Sequence, residues 1–98
     1  MSDQAREISH FVKAFAHEGR LMILCHLAEG ERSVTELERL LDARQSAVSQ
    51  QLARLRLEGL VQFRRDGKTL YYGLADDRAR RMLELIGDMF LDDPQSDG

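Results

Sequence analysis

The fold is decided by residues 45–74, which read QSAVSQQLARLRLEGLVQFRRDGKTLYYGL. The first half of this stretch carries apolar residues at helical spacing, since Val48, Leu52 and Leu55 fall on one face. Gly59 closes the predicted helix, because glycine commonly follows the last helical residue. The second half alternates between apolar and polar residues, which is typical of strands. A helix followed directly by two strands is therefore predicted.

The two strands form a hairpin around Asp66-Gly67. This dipeptide, flanked by alternating runs, is a strong short-range hairpin signal. A two-residue turn at Asp66-Gly67 pairs Arg65 with Lys68, Phe63 with Leu70 and Val61 with Tyr72. The residues predicted to face the core are Val61, Phe63, Leu70 and Tyr72, and those predicted to face away are Gln62, Arg64, Thr69 and Tyr71.

Four further helices are predicted around this stretch. They cover residues 4–16, residues 18–29, a third helix from Ser33 to the Asp42-Ala43 joint, and residues 76–91. Ser33 and Glu36 have the spacing of a capping box, which opens the third helix. Gly30 stops the second helix, which is apolar nearly all round and is therefore expected at the centre of the fold. The third helix is expected to turn Val34, Leu37, Leu40 and Leu41 inward. Apolar residues recur at helical spacing in the first helix (Ile8, Phe11, Val12 and Phe15) and in the last (Ala79, Met82, Leu83, Ile86, Met89 and Phe90).

The element order is thus α-α-α-α-β-β-α, a mainly α fold class with a small β-hairpin wing. Two short helices joined by a tight turn and followed by a hairpin form the winged helix-turn-helix plan. Residues 1–91 are expected to form one domain. Residues 92–98 are acidic and nearly devoid of apolar groups, so we expect a disordered tail.

The charge distribution is uneven along the chain. The net charge is −3, yet residues 44–72 hold six basic and two acidic residues, while the remainder holds eight basic and fifteen acidic ones. A local basic surface of this kind favours nucleic acid as a partner. The single cysteine, the polar start of the chain and the lack of a long apolar run indicate a cytoplasmic protein outside the membrane, without an internal disulfide.

The fourth helix carries a small polar face opposite its apolar one. Ser46, Ser49, Gln50 and Ala53 lie there, and no acidic residue interrupts them. Such a helix can enter the major groove, where glutamine can form two hydrogen bonds with an adenine edge. The predicted DNA contacts are Arg44, Gln45, Ser46, Ser49, Gln50, Arg54, Arg64, Arg65, Lys68 and Thr69. The alternative is a merely solvated helix beside a hairpin whose charges protect its edge.

Three segments together resemble the ArsR/SmtB family of bacterial winged-helix repressors, in its branch of HlyU, NolR and BigR-like regulators. They are Phe15–Leu24 at the first helix junction, Gln45–Arg56 as the recognition helix, and Gly59–Tyr72 as the wing. The resemblance implies a homodimer that represses transcription until an inducer releases it. It also matches Gln45, Ser46, Ser49 and Gln50 to the family's DNA-contacting positions. Arg44 departs from the pattern, which commonly has a serine cap there, so we expect Asp42 to cap the helix instead.

The family's dimer is joined by the first and last helices. The last helix offers more apolar surface than one small monomer needs. The predicted interface residues are Ile8, Phe11, Met82, Leu85, Ile86 and Met89. A twofold dimer would place two recognition helices on an inverted repeat.

The familiar metal sites of the family are missing from this sequence. The third helix has neither Cys-x-Cys nor histidine, and the last helix has neither histidine nor cysteine. No metal and no cofactor are therefore predicted. An unusual site from His10, His17 and His26 or Cys25 is the less favoured alternative to ordinary structural histidines.

The inducer is unknown from the sequence, and Cys25 leaves three possibilities open. Related redox sensors pair a cysteine in the second helix with one near the end of the last helix, where this chain has Leu91 or a neighbour. A dithiol switch within one subunit is therefore impossible. Cys25 is either an inert core thiol or a thiol that is oxidised or persulfidated alone; the third possibility is that the inducer is an unseen ligand or that there is none.

Two other function classes compete with DNA binding. An enzyme is disfavoured because no phosphate-binding glycine loop or H-E-x-x-H pattern occurs. A winged helix used only for protein–protein interaction is the second alternative, and it would select no DNA sequence.

Overall fold

A computed structural model describes residues 2–91 of the chain. Its elements are α1 (Ser2–Lys13), α2 (Glu18–Glu29), β1 (Arg32–Ser33), α3 (Val34–Leu41), α4 (Gln45–Leu57), β2 (Val61–Asp66), β3 (Thr69–Leu74) and α5 (Asp77–Ile86), and a π-helical turn, Gly87–Leu91, follows α5. This is the predicted winged helix-turn-helix order with one added strand. The predicted acidic tail, residues 92–98, lies outside the described residues, and the domain boundary at residue 91 stays a prediction. Within residues 2–91, no helix has the length and hydropathy needed to cross a bilayer.

The core is built around α2, as its all-round apolar character predicts. Ile23, Leu24 and Leu27 are buried, and α2 packs against α3, α4, α5 and β3. Leu52 and Leu55 of α4 are fully buried in the same cluster. The helix-turn-helix and the hairpin are therefore mounted on one common core.

The first helix ends three residues earlier than predicted. After Lys13, the backbone N–H groups of Ala14, Phe15 and Ala16 donate to carbonyls three residues back, which forms tight turns instead of a further α-helical turn. These turns place Ala14 and Phe15 in the core. The chain can then enter α2, whose first residue is Glu18.

The capping box predicted for α3 is confirmed. Ser33 Oγ accepts from the Glu36 N–H at 3.1 Å, and Glu36 Oε1 accepts from the Ser33 N–H at 2.8 Å. Leu37 is fully buried, but the inward prediction for Leu40 is wrong, since it is 47% exposed. Leu40 lies about 60° around the helix from Leu37, on the edge of a narrow apolar face.

The hairpin has a register that differs from the predicted one by two residues. Asp66 pairs with Thr69, Phe63 with Tyr72 and Val61 with Leu74, so the turn is Gly67-Lys68. Gly67 has φ 66°, and Lys68 is not among the positive-φ residues, which fits a II′ turn with glycine at its first central position. Because the slip is even, the predicted faces of the strands are unchanged.

A third strand, β1, was not predicted. It pairs with β3, so that the sheet order is β1-β3-β2, with Arg32 opposite Tyr72 and Ser33 opposite Tyr71. The strand has only two residues, which is too short for alternation to show in the sequence. It joins the base of the wing to the start of the helix-turn-helix.

The last helix is shorter than predicted. The Asp76 side chain accepts from the Arg78 N–H at 2.8 Å and caps α5, which continues regularly to Ile86. Ala79 and Leu83 are buried against the core. Residues 87–91 then widen into a π-helical turn in place of the regular α-helix expected to residue 91.

Candidate nucleic-acid interface

The polar face of α4 is exposed, as the helical wheel predicts. Val48 is 2% exposed and Leu52 and Leu55 are fully buried, which fixes the rotation of the helix against the core. The side chains on the opposite face are all exposed: Gln45, Ser46, Ser49, Gln50 and Ala53. A short polar surface without acidic residues is thus presented along one side of α4.

The N-terminus of α4 has no side-chain cap. Arg44 is the N-cap residue and its side chain makes no capping hydrogen bond. The expectation that Asp42 caps α4 is wrong, because Asp42 adopts a left-handed conformation (φ 51°) that ends α3. Within residues 2–91 the first amides of α4 therefore lack an N-cap side chain as acceptor, which suits an anion such as a phosphate.

The tip of the wing carries two free cationic side chains. Arg65 and Lys68 are exposed beside the II′ turn, and neither takes part in an ion pair within residues 2–91. Thr69, another predicted contact, is half-buried where β3 begins. Arg65 and Lys68 are thus the wing residues best placed to meet an external anion.

Arg64 forms an ion pair within the protein, although the sequence predicts it as a DNA contact. Its Nε lies 2.9 Å from Glu31 Oε1 and 3.2 Å from Glu31 Oε2, and its Nη2 lies 2.9 Å from Oε1. The guanidinium also lies over the Tyr71 ring, 5.1 Å from its centroid. The hydrogen bonds and the charge of Glu31 raise the pKa of Arg64. Arg64 thus connects the wing to Glu31, the residue that precedes β1.

Arg54 and Arg56 leave α4 in different directions. Arg54 Nε lies 3.5 Å from Glu58 Oε2, a pair in which the arginine is 63% exposed. Arg56 lies over the Phe63 ring, 4.3 Å from its centroid, and so links α4 to β2. Arg56 is one of the six basic residues in the stretch 44–72, and the sequence predicts no specific contact for it. The alternation that turns Phe63 towards the core is the signal that could have revealed it.

His17 has a structural role that accounts for its position. It is the N-cap of α2, and its Nδ1 accepts from the N–H groups of Gly19 at 3.1 Å and Arg20 at 3.4 Å. His26 Nδ1 lies 3.9 Å from Glu29. Across residues 2–91, no three His, Cys, Asp or Glu side chains lie close enough together to hold a metal ion.

Cys25 is partly buried on α2. Burial and the nearby Glu29 carboxylate raise the pKa of the thiol. Both effects disfavour the thiolate, which is the reactive form. Of the three possibilities left open by the sequence, this environment favours the inert thiol.

The predicted dimer residues divide into two groups. Ile8, Leu85 and Met89 are 50%, 52% and 61% exposed, whereas Phe11, Met82 and Ile86 are partly buried against the core. Phe90 and Leu91 add further apolar surface, each 76% exposed. Both ends of the described chain thus carry uncovered apolar side chains.

Comparison with known proteins places the chain in a family. Residues 17–62 match the family described as "Bacterial regulatory protein, arsR family". The biofilm growth-associated repressor of Agrobacterium fabrum is 47% identical over 90 residues, covering 92% of this chain and 77% of that protein. Reduced HlyU from Vibrio cholerae superimposes with a TM-score of 0.89 at 40% identity, covering 93% of this chain and 96% of that one.

A solution structure from Mycobacterium bovis matches with a TM-score of 0.79 at 31% identity, covering 90% of this chain and 82% of that one. It is described as a homodimeric winged helix-turn-helix DNA-binding domain of a possible ArsR-family regulator. The fold and the sequence likeness extend beyond the helix-turn-helix to the flanking helices. This chain therefore belongs to the arsR family of bacterial regulatory proteins and is a winged helix-turn-helix transcription regulator.

Proposed function

We propose that the chain represses transcription by binding an inverted-repeat operator as a homodimer, with α4 of each protomer in the major groove. The observation that carries this proposal is the exposed face of α4. That face is polar, free of acidic side chains and continuous with an uncapped helix N-terminus. A protein that acts on genomic DNA in a bacterium works in the cytoplasm.

Base selection falls to the side chains at the start of α4. Gln45 and Gln50 each carry a donor and an acceptor, which can pair with the N6 and N7 atoms of adenine. Ser46 and Ser49 lie between them and are short enough to bring the helix close to base edges or phosphates. All four are exposed, so binding would not require the core to rearrange.

The wing tip and the start of α4 would contact the phosphate backbone of the DNA. Arg65 and Lys68 are exposed cations without an ion pair in the described part of the chain, and Arg44 lies at the open end of α4. Such contacts fix the position of the protein but carry no direct sequence information. Arg54 and Arg64 would reach phosphate only by leaving Glu58 and Glu31, so we assign them smaller shares.

The dimer would form through α1 and the C-terminal helix. Ile8, Leu85 and Met89 are at least half exposed, and covering them would remove apolar surface from water at about 25 cal/mol per Å². Phe11, Met82 and Ile86, which are partly buried against the core, would contribute their remaining exposed surface to the interface. The M. bovis relative is described as homodimeric, which supports a dimer of this chain. Two α4 helices would then meet successive major grooves, about 34–36 Å apart.

Selection of bound duplexes from a random pool tests this function. The expected result is an inverted repeat whose half-site centres lie about one helical turn apart, bound by two protomers. The mass of the selected complex gives the stoichiometry. A protein–protein interaction module would enrich no sequence, and that outcome would refute the proposal.

A further inference from the structure

A second basic surface lies beside α4, outside the helix-turn-helix and the wing. It is a groove of about 430 Å³ between the end of α1, the start of α2 and the second half of α4. Its polar and charged lining residues are His10, Lys13, His17, Arg20, Arg54 and Glu58. We call this surface the junction groove.

The junction groove is rich in hydrogen-bond donors. Lys13, Arg20 and Arg54 bring three basic side chains against the single carboxylate of Glu58, which is paired with Arg54 at 3.5 Å. Because His17 Nδ1 accepts two backbone N–H groups, its ring proton is on Nε2, which leaves a donor. The groove therefore suits a partner that is negatively charged and rich in acceptors.

A neighbouring groove has the opposite sign. It shares His10 and Glu58 with the junction groove but is lined in addition by Asp3, Arg6, Glu7, Phe11, Leu60, Asp76 and Arg78. Its four carboxylates exceed its two guanidinium groups. Of these two grooves, only the junction groove, which borders α4, has more basic than acidic side chains.

The junction groove continues the reading face of α4. Arg54 directly follows Ala53 and lies one helical turn after Gln50. The first turn of α2 packs against α4. A Cβ atom placed on Gly19 of α2 would lie 4.0 Å from Nε2 of Gln51 in α4. A duplex that receives α4 in its major groove presents a phosphate backbone along each side of that helix. The groove borders α4 at Arg54 and Glu58, next to the polar face that carries Gln50 and Ala53.

We propose that the junction groove binds a phosphate of the operator backbone beside the major groove, with Lys13 as its principal charged contact. Arg20 is held in place by its own hydrogen bond, in which Nη2 donates to the Lys13 carbonyl at 3.2 Å. Lys13 is exposed and joins none of the ion pairs described within residues 2–91, so its ammonium group is available. This inference rests on the proposed role of α4 as the DNA-reading helix.

Phosphate-ethylation interference on the selected operator tests the inference. Lys13→Gln is compared with wild type and with Arg81→Gln, which removes the same charge from an exposed position on α5. We expect Lys13→Gln to lose interference at one phosphate in each half-site and to keep it at all others. Affinity should fall about threefold to tenfold for operator and unrelated duplexes alike, and the slope of log K against log salt should flatten by about two for the dimer.

The outcomes separate this inference from the proposed function. An unchanged interference pattern and salt slope in Lys13→Gln overturn the phosphate contact while leaving α4 as the reading helix. A changed base preference in Lys13→Gln also overturns it, since a phosphate contact carries no sequence information. A wild-type protein with no selective interference pattern overturns both. Arg81→Gln should match wild type, and thermal melting of each variant checks that the fold is intact.

Discussion

Cys25 is the only cysteine in the sequence, so its environment decides whether a thiol of this chain could sense oxidants. Its thiol is partly buried, and burial and Glu29 raise its pKa. A thiol held in the protonated form reacts slowly with oxidants. Cys25 is therefore better explained as a packing residue of α2 than as a sensor.

We predict that peroxide or a persulfide donor leaves operator affinity unchanged in both wild type and Cys25→Ser. The measurement is a binding titration on the selected operator before and after treatment. The unmodified Cys25→Ser variant is the control for any structural effect of the substitution. A loss of binding on treatment in the wild type alone would restore the sensor hypothesis.

The wing arginines are predicted to differ although they are adjacent in sequence. Arg65 is free of ion pairs in the described residues, whereas Arg64 is held by Glu31. Arg65→Ala should therefore weaken all DNA sequences and flatten the salt slope by about one per protomer. Arg64→Ala should flatten it by less than half of that. Equal salt slopes for the two variants would contradict the assignment.

Residue environments could be predicted from the sequence only where a local pattern determines them. Val48 and Gln50 fall on opposite faces of α4 because the helical period alone places them there. The engagement of Arg64 could not be predicted, since its partner Glu31 is 33 positions away in the chain. His17 was correctly expected at a helix junction, but its acceptor role depends on the backbone geometry of that junction.

Among the elements, α4 shows how stability and binding can oppose each other. Its N-cap is Arg44, whose side chain makes no capping hydrogen bond. Serine at an N-cap typically adds about 0.5–2 kcal/mol of stability over a residue that cannot cap. A basic residue here gives up that stabilisation and keeps a positive charge at the helix start.

We predict that Arg44→Ser raises the free energy of unfolding by about 1 kcal/mol and lowers operator affinity. Urea denaturation measures the first effect and a binding titration the second. Ser33→Ala serves as a comparison with the opposite effect. It removes the N-cap of α3 and should lower the free energy of unfolding by about 1 kcal/mol. An Arg44→Ser protein that is no more stable than wild type would show that α4 is capped in solution by another group.

The hairpin of β2 and β3 was predicted from the sequence only in part. Asp66-Gly67 located the turn to within one residue, since its central residues are Gly67 and Lys68, and the alternation of faces along both strands was predicted correctly. The register was wrong because the II′ turn takes Gly67 as its first central residue and leaves Asp66 in the strand. The strand β1 was missed because it forms only through pairing with β3, from two residues that carry no pattern of their own.

For the whole molecule, the proposed dimer would cover the apolar side chains that are exposed at its two ends. Ile8, Leu85 and Met89 are at least half exposed, although the core itself is closed around α2. The sequence predicted an excess of apolar residues in the last helix, but a single chain cannot show how two copies meet. The M. bovis relative is described as homodimeric, which agrees with the dimer proposed for this chain.

We predict that Leu85→Glu converts the protein to a monomer at micromolar concentration. Two carboxylates buried at a twofold interface would have no compensating partner, and isolated buried charge is costly. Sedimentation equilibrium gives the mass, and a parallel binding titration should show operator affinity reduced at least tenfold. Glu84→Gln, an exposed neighbour on α5, controls for a change in charge on this helix. A dimeric Leu85→Glu protein would place the interface elsewhere.

The central claim is that the exposed face of α4 selects the operator sequence. Relative affinities for every single-base variant of the operator test it, measured for wild type, Gln50→Ala and Gln51→Ala. Gln51 lies on the same helix but is half-buried towards α2, so it controls for the substitution itself. We predict that Gln50→Ala loses about 1–3 kcal/mol on the best site and relaxes preference at one base pair of each half-site, while Gln51→Ala keeps the wild-type preference. A wild-type base preference in Gln50→Ala would contradict the claim.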